Sequence, residues 1–275
     1  MKPIATTDSL PLTCTREGAC CFGAVIRITP WELAVLARHV GEEAAAFRDR
    51  HTCDGGTAMR LDGEHDRLGH RACTLYRGGS GCSAHPARPL ACRLFPLGRQ
   101  RVDGIARYHH PGRTVGCAEL CPASQALPVL RVGDYLAQQQ VSAGEAAHDA
   151  YAAFLAGLVA TAGGLCRHAG TVGLEEALLQ RAAAAPEARM RAVPTAWFEL
   201  LTAPSLPVPL DEPHLWVGAH RARVAQAVAT GWQLDGDMTD TALVIATLAL
   251  HLGPTVGTSP ELVAQAIATT ARAAA

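Results

Sequence analysis

A glycine- and proline-rich cysteine segment constrains the fold of this chain more than any other stretch. Residues 73–96 read CTLYRGGSGCSAHPARPLACRLFP, in which Cys73, Cys82 and Cys92 have eight and nine residues between them. Glycine and proline interrupt helices and strands, so this segment is predicted to form a loop. Apolar side chains are few here, and thiolates bound to a metal would hold such a backbone in place.

Eight cysteines within the first 121 residues are candidate metal ligands: Cys14, Cys20, Cys21, Cys73, Cys82, Cys92, Cys117 and Cys121. Thiolate is a soft ligand that suits iron–sulfur clusters, zinc and copper(I). No two of the eight have the C-x2-C spacing of ordinary zinc ribbons. The wide spacing and the flanking prolines favour an iron–sulfur cluster, and zinc remains the alternative. Cys53 and Cys166 are interpreted as thiols without a metal.

Charge and the start of the chain bear on partners and compartment. A net charge of −1 and a pI near 6.9 give no general attraction to nucleic acid or to an anionic membrane surface. The first residues show no apolar signal region, so we expect a cytoplasmic protein with reduced thiols. The uncharged run at residues 150–166 is at the short limit for a membrane span, and we interpret it as a buried helix.

The second half of the chain is rich in alanine, the best helix former, and contains one cysteine. The pattern therefore predicts a mostly α protein in two domains. Residues 1–122 would form a small irregular α+β metal domain, and residues 123–275 would form an α-helical domain.

Local signals predict several elements. Thr29, Pro30 and Glu32 have the spacing of a helix N-cap with a capping box. The dipeptides Asp62-Gly63 and Asp103-Gly104 predict two hairpin turns. A long helix is predicted over residues 133–168, with glycines that would interrupt it.

Residues 81–97 resemble the signature of the YkgJ-type cysteine-cluster proteins, which are described as zinc- or iron-chelating domains. The matching positions are Cys14, Cys20-Cys21, Thr29, Glu32, Cys73, Gly81-Cys82, His85, Arg88-Pro89, Cys92-Arg93, Phe95-Pro96 and Cys121-Pro122. The resemblance covers about residues 12–122. Glu17 stands where the family has its second cysteine, so this carboxylate, Cys53 or a histidine would have to replace that thiolate.

Three residues inside this signature are candidates for contact with a cofactor. His85 is predicted to donate a hydrogen bond to a ligand sulfur, or else to bind the metal itself. Arg88 and Arg93 would offset the charge of the thiolates or bind an anionic group of a substrate.

The resemblance also suggests an activity. Flagellin lysine N-methylases of this family look similar, with a cysteine domain followed by a helical region. A second interpretation is therefore a cluster-dependent methyltransferase that uses S-adenosylmethionine on a protein or peptide lysine. A third is a zinc-binding interaction module without chemistry. No G-x-G-x-x-G, Walker or H-E-x-x-H motif is present, so any chemistry would belong to the metal centre.

Overall fold

The computed structural model describes residues 2–12, 18–102, 105–110, 128–169, 174–231, 234 and 238–273. The chain divides into two compact units, each made of two separate segments. The first unit contains residues 1–26 and 59–145, and the second contains residues 27–58 and 146–275. The domain boundary predicted at residue 122 lies outside the described residues and stays a prediction. Residues 27–58, which precede most of the cysteine region, belong to the helical second unit.

The described strands are short and pair mostly in twos. They are β1 (Lys2–Ile4), β2 (Ser9–Pro11), β3 (Thr52–Cys53), β4 (Ala58–Met59), β5 (Leu61–His65), β6 (Arg71–Cys73), β7 (Tyr76–Arg77), β8 (Gly81–Cys82), β9 (Gly98–Val102), β10 (Ile105–His110) and β11 (Val129–Arg131).

The described helices are concentrated in the second half of the chain. They are α1 (Pro30–Val40), α2 (Ala44–His51), α3 (Leu90–Leu94), α4 (Val132–Gln138), α5 (Ser142–Ala169), α6 (Leu174–Ala183), α7 (Pro186–Met190), α8 (Thr195–Thr202), α9 (Pro213–Thr230), α10 (Met238–Leu252) and α11 (Pro260–Arg272). The prediction of a mostly α fold with a strand-containing N-terminal region is confirmed.

The first unit is held by a small sheet and a small apolar core. Strand β10 pairs antiparallel with both β1 and β9, and β2 pairs antiparallel with β11. Helices α3 and α4 pack their apolar side chains together, with Leu94 and Tyr135 among the buried residues. This core fixes the position of the segment that carries Cys92.

The second unit is a helical assembly with a much larger core. Helices α5 and α10 supply many of its buried side chains, including Tyr151, Phe154 and Leu248. Two helical stretches, Ser142–Ala169 and Met238–Val256, are long and apolar enough to cross a membrane by length and composition. Both also contribute to this core, so these two properties alone do not assign them to a membrane.

Helix α1 begins as the sequence predicts. The Thr29 side chain accepts a hydrogen bond from the backbone N–H of Glu32, and the Glu32 carboxylate accepts one from the backbone N–H of Thr29 at 2.7 Å. Gly41 ends the helix in the left-handed conformation with φ 76°. Local capping chemistry therefore suffices to define this helix.

Of the two predicted hairpins, one has its turn at a different place and the other is confirmed. Asp62-Gly63 lies inside β5, and the β5–β6 turn is made instead at Asp66, whose Oδ1 accepts backbone N–H groups of Leu68 and His70 at 2.8 and 2.9 Å. The hairpin of β9 and β10 is confirmed, although residues 103–104 themselves lie outside the described part.

The long helix predicted at residues 133–168 is two helices, α4 and α5, separated at residues 139–141. The glycines expected to interrupt it lie inside α5. A Cβ at Gly163 would come within 2.6 Å of the Thr270 Cβ, and one at Gly144 would come within 3.1 Å of the Leu90 Cβ. These glycines therefore permit close packing instead of breaking the helix.

Candidate metal centre

Cys20 and Cys21 lie in a single 3₁₀ turn, Ala19–Cys21, which is entered through Gly18. Gly18 has φ 79°, and a Cβ there would clash with the ring of Tyr76. The Cys21 N–H donates to the Gly18 carbonyl at 2.7 Å. The next residues join the turn to β6 through an isolated bridge between Phe22 and Ala72, which places both thiols beside the strand that ends at Cys73.

A small hairpin follows Cys73 and contains Cys82 in its second strand. Strands β7 and β8 pair antiparallel, with Tyr76 opposite Cys82. Ser83 closes the hairpin, because its backbone N–H and its hydroxyl both donate to the Leu75 carbonyl, at 2.9 and 2.8 Å. The glycines between the two cysteines allow this tight reversal, as the sequence indicates.

Cys92 lies in the short helix α3, where its N–H donates to the Pro89 carbonyl at 3.0 Å. A 3₁₀ turn, His85–Ala87, precedes the helix, and His85 is partly buried there. The interpretation of residues 73–96 as a wholly irregular loop is therefore wrong at this point. Pro89 takes the N-cap position of α3, with φ −57°.

Five described cysteines of the first unit act on one another electrostatically. The hydrogen bond from the Cys21 thiol lowers the pKa of Cys20 to about 7, with a smaller contribution from the Arg88 charge. The same hydrogen bond raises the pKa of Cys21, together with burial and the charges of Cys20, Cys82 and Cys92. These mutual effects show that the thiols occupy one neighbourhood.

Two further thiols of this group, those of Cys73 and Cys92, have a pKa above that of an ordinary cysteine. Burial raises the pKa of Cys73 to about 11, and the charge of Cys82 adds to the effect. Burial also raises the pKa of Cys92, helped by the charges of Cys73, Cys20 and Cys82. Several thiolates this close together repel one another, and a bound cation removes that repulsion.

Arg93 fastens the segment between Cys82 and Cys92 to the end of α4. Its Nε donates to the Arg88 carbonyl at 2.9 Å, its Nη1 donates to the Gln139 carbonyl at 2.9 Å, and its Nη2 donates to the Pro86 carbonyl. A planar guanidinium is suited to bridging several acceptors at fixed angles. Arg93 therefore has a structural role beside Cys92.

Arg88 makes a second connection to the same place. Its Nε donates to the His85 carbonyl at 3.1 Å, and its Nη2 donates to the Gln139 side-chain oxygen at 2.8 Å. Its positive charge favours the thiolate form of both Cys20 and Cys92, although burial outweighs this effect at Cys92, whose pKa is raised. Of the two predicted roles, the offset of thiolate charge agrees with this position. Contact of His85, Arg88 or Arg93 with a cofactor stays a prediction.

Gln139 is a residue that sequence reasoning missed. It lies just after α4, and both its backbone carbonyl and its side-chain oxygen accept bonds from the two arginines. A glutamine in the run Gln138-Gln139-Gln140 carries no signal of such a role, because the partner arginines are far away in sequence.

The other cysteines fall into two groups. Cys14, Cys117 and Cys121, together with Glu17, lie outside the described residues. Cys53 is exposed and Cys166 is buried, and both belong to the second unit. The seven cysteines of the described part of the chain are free thiols.

Within the described part of the chain, no three Asp, Glu, His or Cys side chains have an arrangement that could hold a metal ion. The five thiols of the first unit are therefore a partial donor set. Their chemistry fits zinc or iron, since both metals accept thiolate ligands. A closed coordination sphere would need small shifts of these side chains or the addition of cysteines outside the described residues.

Comparison with known proteins gives one match. Residues 13–110 match the family model CxxCxxCC, described as "Putative zinc- or iron-chelating domain". No curated protein and no solved structure matches the chain. The matched span includes six of the predicted ligands, from Cys14 to Cys92, and the position of Glu17 where the model's name has a cysteine.

Proposed function

Because residues 13–110 match the model of a zinc- or iron-chelating domain, we propose that the protein holds an iron–sulfur cluster on the cysteines of its first unit. The observation that supports the proposal most is that five thiols from separate segments act on one another electrostatically. The 3₁₀ turn carries Cys20 and Cys21, β6 carries Cys73, β8 carries Cys82 and α3 carries Cys92.

The choice of an iron–sulfur cluster over zinc depends on spacing and environment. The cysteines lack C-x2-C pairs, Gly81 directly precedes Cys82, and Pro89 is the N-cap of the short helix that carries Cys92. Wide spacing with prolines is typical of cluster-binding loops. The cluster would then be bound by thiolates of the five described cysteines of the first unit, Cys20, Cys21, Cys73, Cys82 and Cys92. Any further thiolate ligands would come from Cys14, Cys117 and Cys121.

A bound cluster would supply redox or Lewis-acid chemistry, and it would also stabilise the fold. Among the described residues of the first unit, one apolar cluster contains eight buried side chains. Metal ligation contributes folding free energy where the core is small. Arg88 would remain next to the thiolates and partly offset their charge.

The test is metal and acid-labile sulfide analysis, with a visible spectrum, on protein purified without oxygen. We expect iron and sulfide in near-equal amounts and a brown protein. Cys82→Ser and Cys92→Ser should lose most of the metal, whereas the matched control Cys166→Ser, at a buried thiol of the second unit, should keep it.

Two results would contradict the proposal. A colourless protein with stoichiometric zinc would assign the site to zinc. Metal content unchanged by Cys82→Ser and Cys92→Ser would remove these cysteines from the ligand set altogether.

Methyl transfer to a protein or peptide lysine stays a prediction from the resemblance. Anaerobic calorimetry of the metal-loaded protein with S-adenosylmethionine tests it directly. Saturable binding that disappears in Cys82→Ser would support it, and the absence of binding heat would contradict it.

A further inference from the structure

The second unit contains a cavity that takes no part in the proposed metal centre. Its volume is about 270 Å³, and it lies at the N-terminal end of α11. The polar side chains in its wall belong to Arg27, Thr57, Arg189, His251, Thr258 and Ser259, and we call it the two-arginine pocket. No carboxylate lines it among the described residues.

Arg189 is the unusual group in this wall. Only 4% of its surface is exposed, and its four hydrogen bonds within the described part of the chain go to backbone carbonyls. Its donors are directed to backbone carbonyls at the C-terminal end of α6 and to the Leu250 carbonyl in the last turn of α10, at 2.9 to 3.1 Å. Helix C-termini carry partial negative charge, which stabilises the guanidinium without a full counter-charge.

Arg27 adds a second guanidinium to the same wall. Its side chain is 36% exposed, and its Nη1 is bonded to Asp54 Oδ2 at 2.5 Å. The positive charge of Arg27 lowers the pKa of the already desolvated Arg189, so the two cations repel each other. The charges of Asp54 and Glu261 act on Arg189 in the opposite direction, although neither residue lines the cavity.

The remaining wall adds donors and no further charge. Burial lowers the pKa of His251 to about 4, so the ring is neutral near pH 7, and its Nε2–H donates to the Gly55 carbonyl at 2.9 Å. Thr258 lies partly buried beside the Ser259 N-cap of α11. The lining of one small cavity thus includes two arginines, three residues with hydroxyl groups and the first residues of a helix.

From this arrangement we infer that the two-arginine pocket binds a small molecule through an oxyanion, either a carboxylate or a phosphate. An oxyanion in this cavity would interact with both positive charges. Arg27 can donate N–H groups to either kind of oxyanion, whereas four N–H groups of Arg189 already reach backbone carbonyls, so Arg189 would act through its charge. The volume is close to the lower limit of small-molecule sites, which excludes large ligands such as dinucleotides.

Calorimetric titration of the metal-loaded full-length protein tests the inference, with inorganic phosphate in one arm and acetate in the other. We expect one saturable site with a dissociation constant on the order of 1 mM for at least one of the two anions. The arm with the tighter binding distinguishes a phosphate ligand from a carboxylate ligand.

Three variants make the test specific. Arg27→Gln should weaken binding about tenfold, because it removes one of the two cations. Asp54→Asn breaks the same ion pair but leaves both cations, so it should strengthen binding about two- to threefold. Arg50→Gln is the matched control, since Arg50 is a 65% exposed arginine of the same unit paired with Glu42, and it should change nothing.

The inference is overturned if neither anion binds saturably. It is also overturned if Arg27→Gln and Asp54→Asn shift affinity in the same direction, because loss of the ion pair would then explain both. A negative result in this titration would not bear on the proposed metal centre, because anion binding in the two-arginine pocket does not involve the ligand cysteines.

Discussion

Replacement of Arg93 by alanine tests whether the bonds next to Cys92 hold the cysteine segment in place. The change removes the donors to the carbonyls of Pro86, Arg88 and Gln139 and leaves the backbone of α3 intact. The three acceptors are partly exposed or near the surface, so water can replace some of what is lost.

The expected magnitude follows from the number of bonds. A hydrogen bond contributes about 1 kcal/mol net, and more when one partner is charged. Loss of three such bonds, partly replaced by bonds to water, should lower the free energy of local opening of residues 82–97 by about 2–3 kcal/mol. Arg93→Lys should lose most of this as well, because an ammonium group cannot hold the planar arrangement of a guanidinium.

Amide hydrogen exchange followed by mass spectrometry is the suitable assay, because it reports each unit separately. Peptides covering residues 82–97 should exchange faster in Arg93→Ala, while peptides from α5 and α10 should be unchanged. Arg67→Ala is the control, since Arg67 is an exposed arginine of the same unit, and it should change protection by less than about 0.5 kcal/mol.

Equal protection of residues 82–97 in the wild type and in Arg93→Ala would refute the reasoning. Loss of protection spread over both units would also refute it, because the defect would then be global and not local to the cysteine segment.

Two further predictions concern pH and the Cys20–Cys21 turn. Burial lowers the pKa of His220 from 6.5 to about 4, so the unfolded chain takes up a proton first as pH falls. The free energy of unfolding should therefore drop by about 3 kcal/mol between about pH 6.5 and pH 4 on account of this group, and His220→Gln should flatten this slope in denaturation curves. Gly18→Ala should lower the bound metal measured by elemental analysis, because its Cβ would displace the ring of Tyr76. Gly69→Ala, also at positive φ but with no atom within 4 Å of the new Cβ, should cost only about 1 kcal/mol and keep the metal; equal metal loss in both variants would count against the clash.

Some elements could be predicted from sequence because their causes are local. The start of α1 depends on Thr29, Pro30 and Glu32, which are within four consecutive positions. The β9–β10 hairpin likewise follows from a turn dipeptide between two strands. In such cases neighbouring residues alone select the conformation.

Other features could not be predicted because their causes are distant in sequence. The break after α4 coincides with Gln139, whose acceptors are used by Arg88 and Arg93. The glycines of α5 look like helix breakers in sequence, but Gly163 is required by contact with Thr270. The turn predicted at Asp62-Gly63 does not form there, because the Asp66 carboxylate accepts two backbone N–H groups and so stabilises a turn further along the chain.

The sequence places the candidate cysteines in one region of the chain, and their assignment as metal ligands stays a prediction. It could not indicate that Cys20 and Cys21 share a hydrogen bond that moves their pKa values in opposite directions, since that depends on side-chain geometry.

The interleaving of the two units along the chain has a consequence for biosynthesis. Residues 27–58 are made before most of the first unit but pack with the second, and the first unit ends only at residue 145. The first unit therefore has all its residues only after residue 145 has been made, and residues 27–58 must wait for the rest of the second unit, unlike segments of separate consecutive domains. A ribosome-bound chain stopped near residue 122 would expose Cys73, Cys82 and Cys92 without Gln139 to anchor their segment, so stable metal loading belongs to a late stage of synthesis.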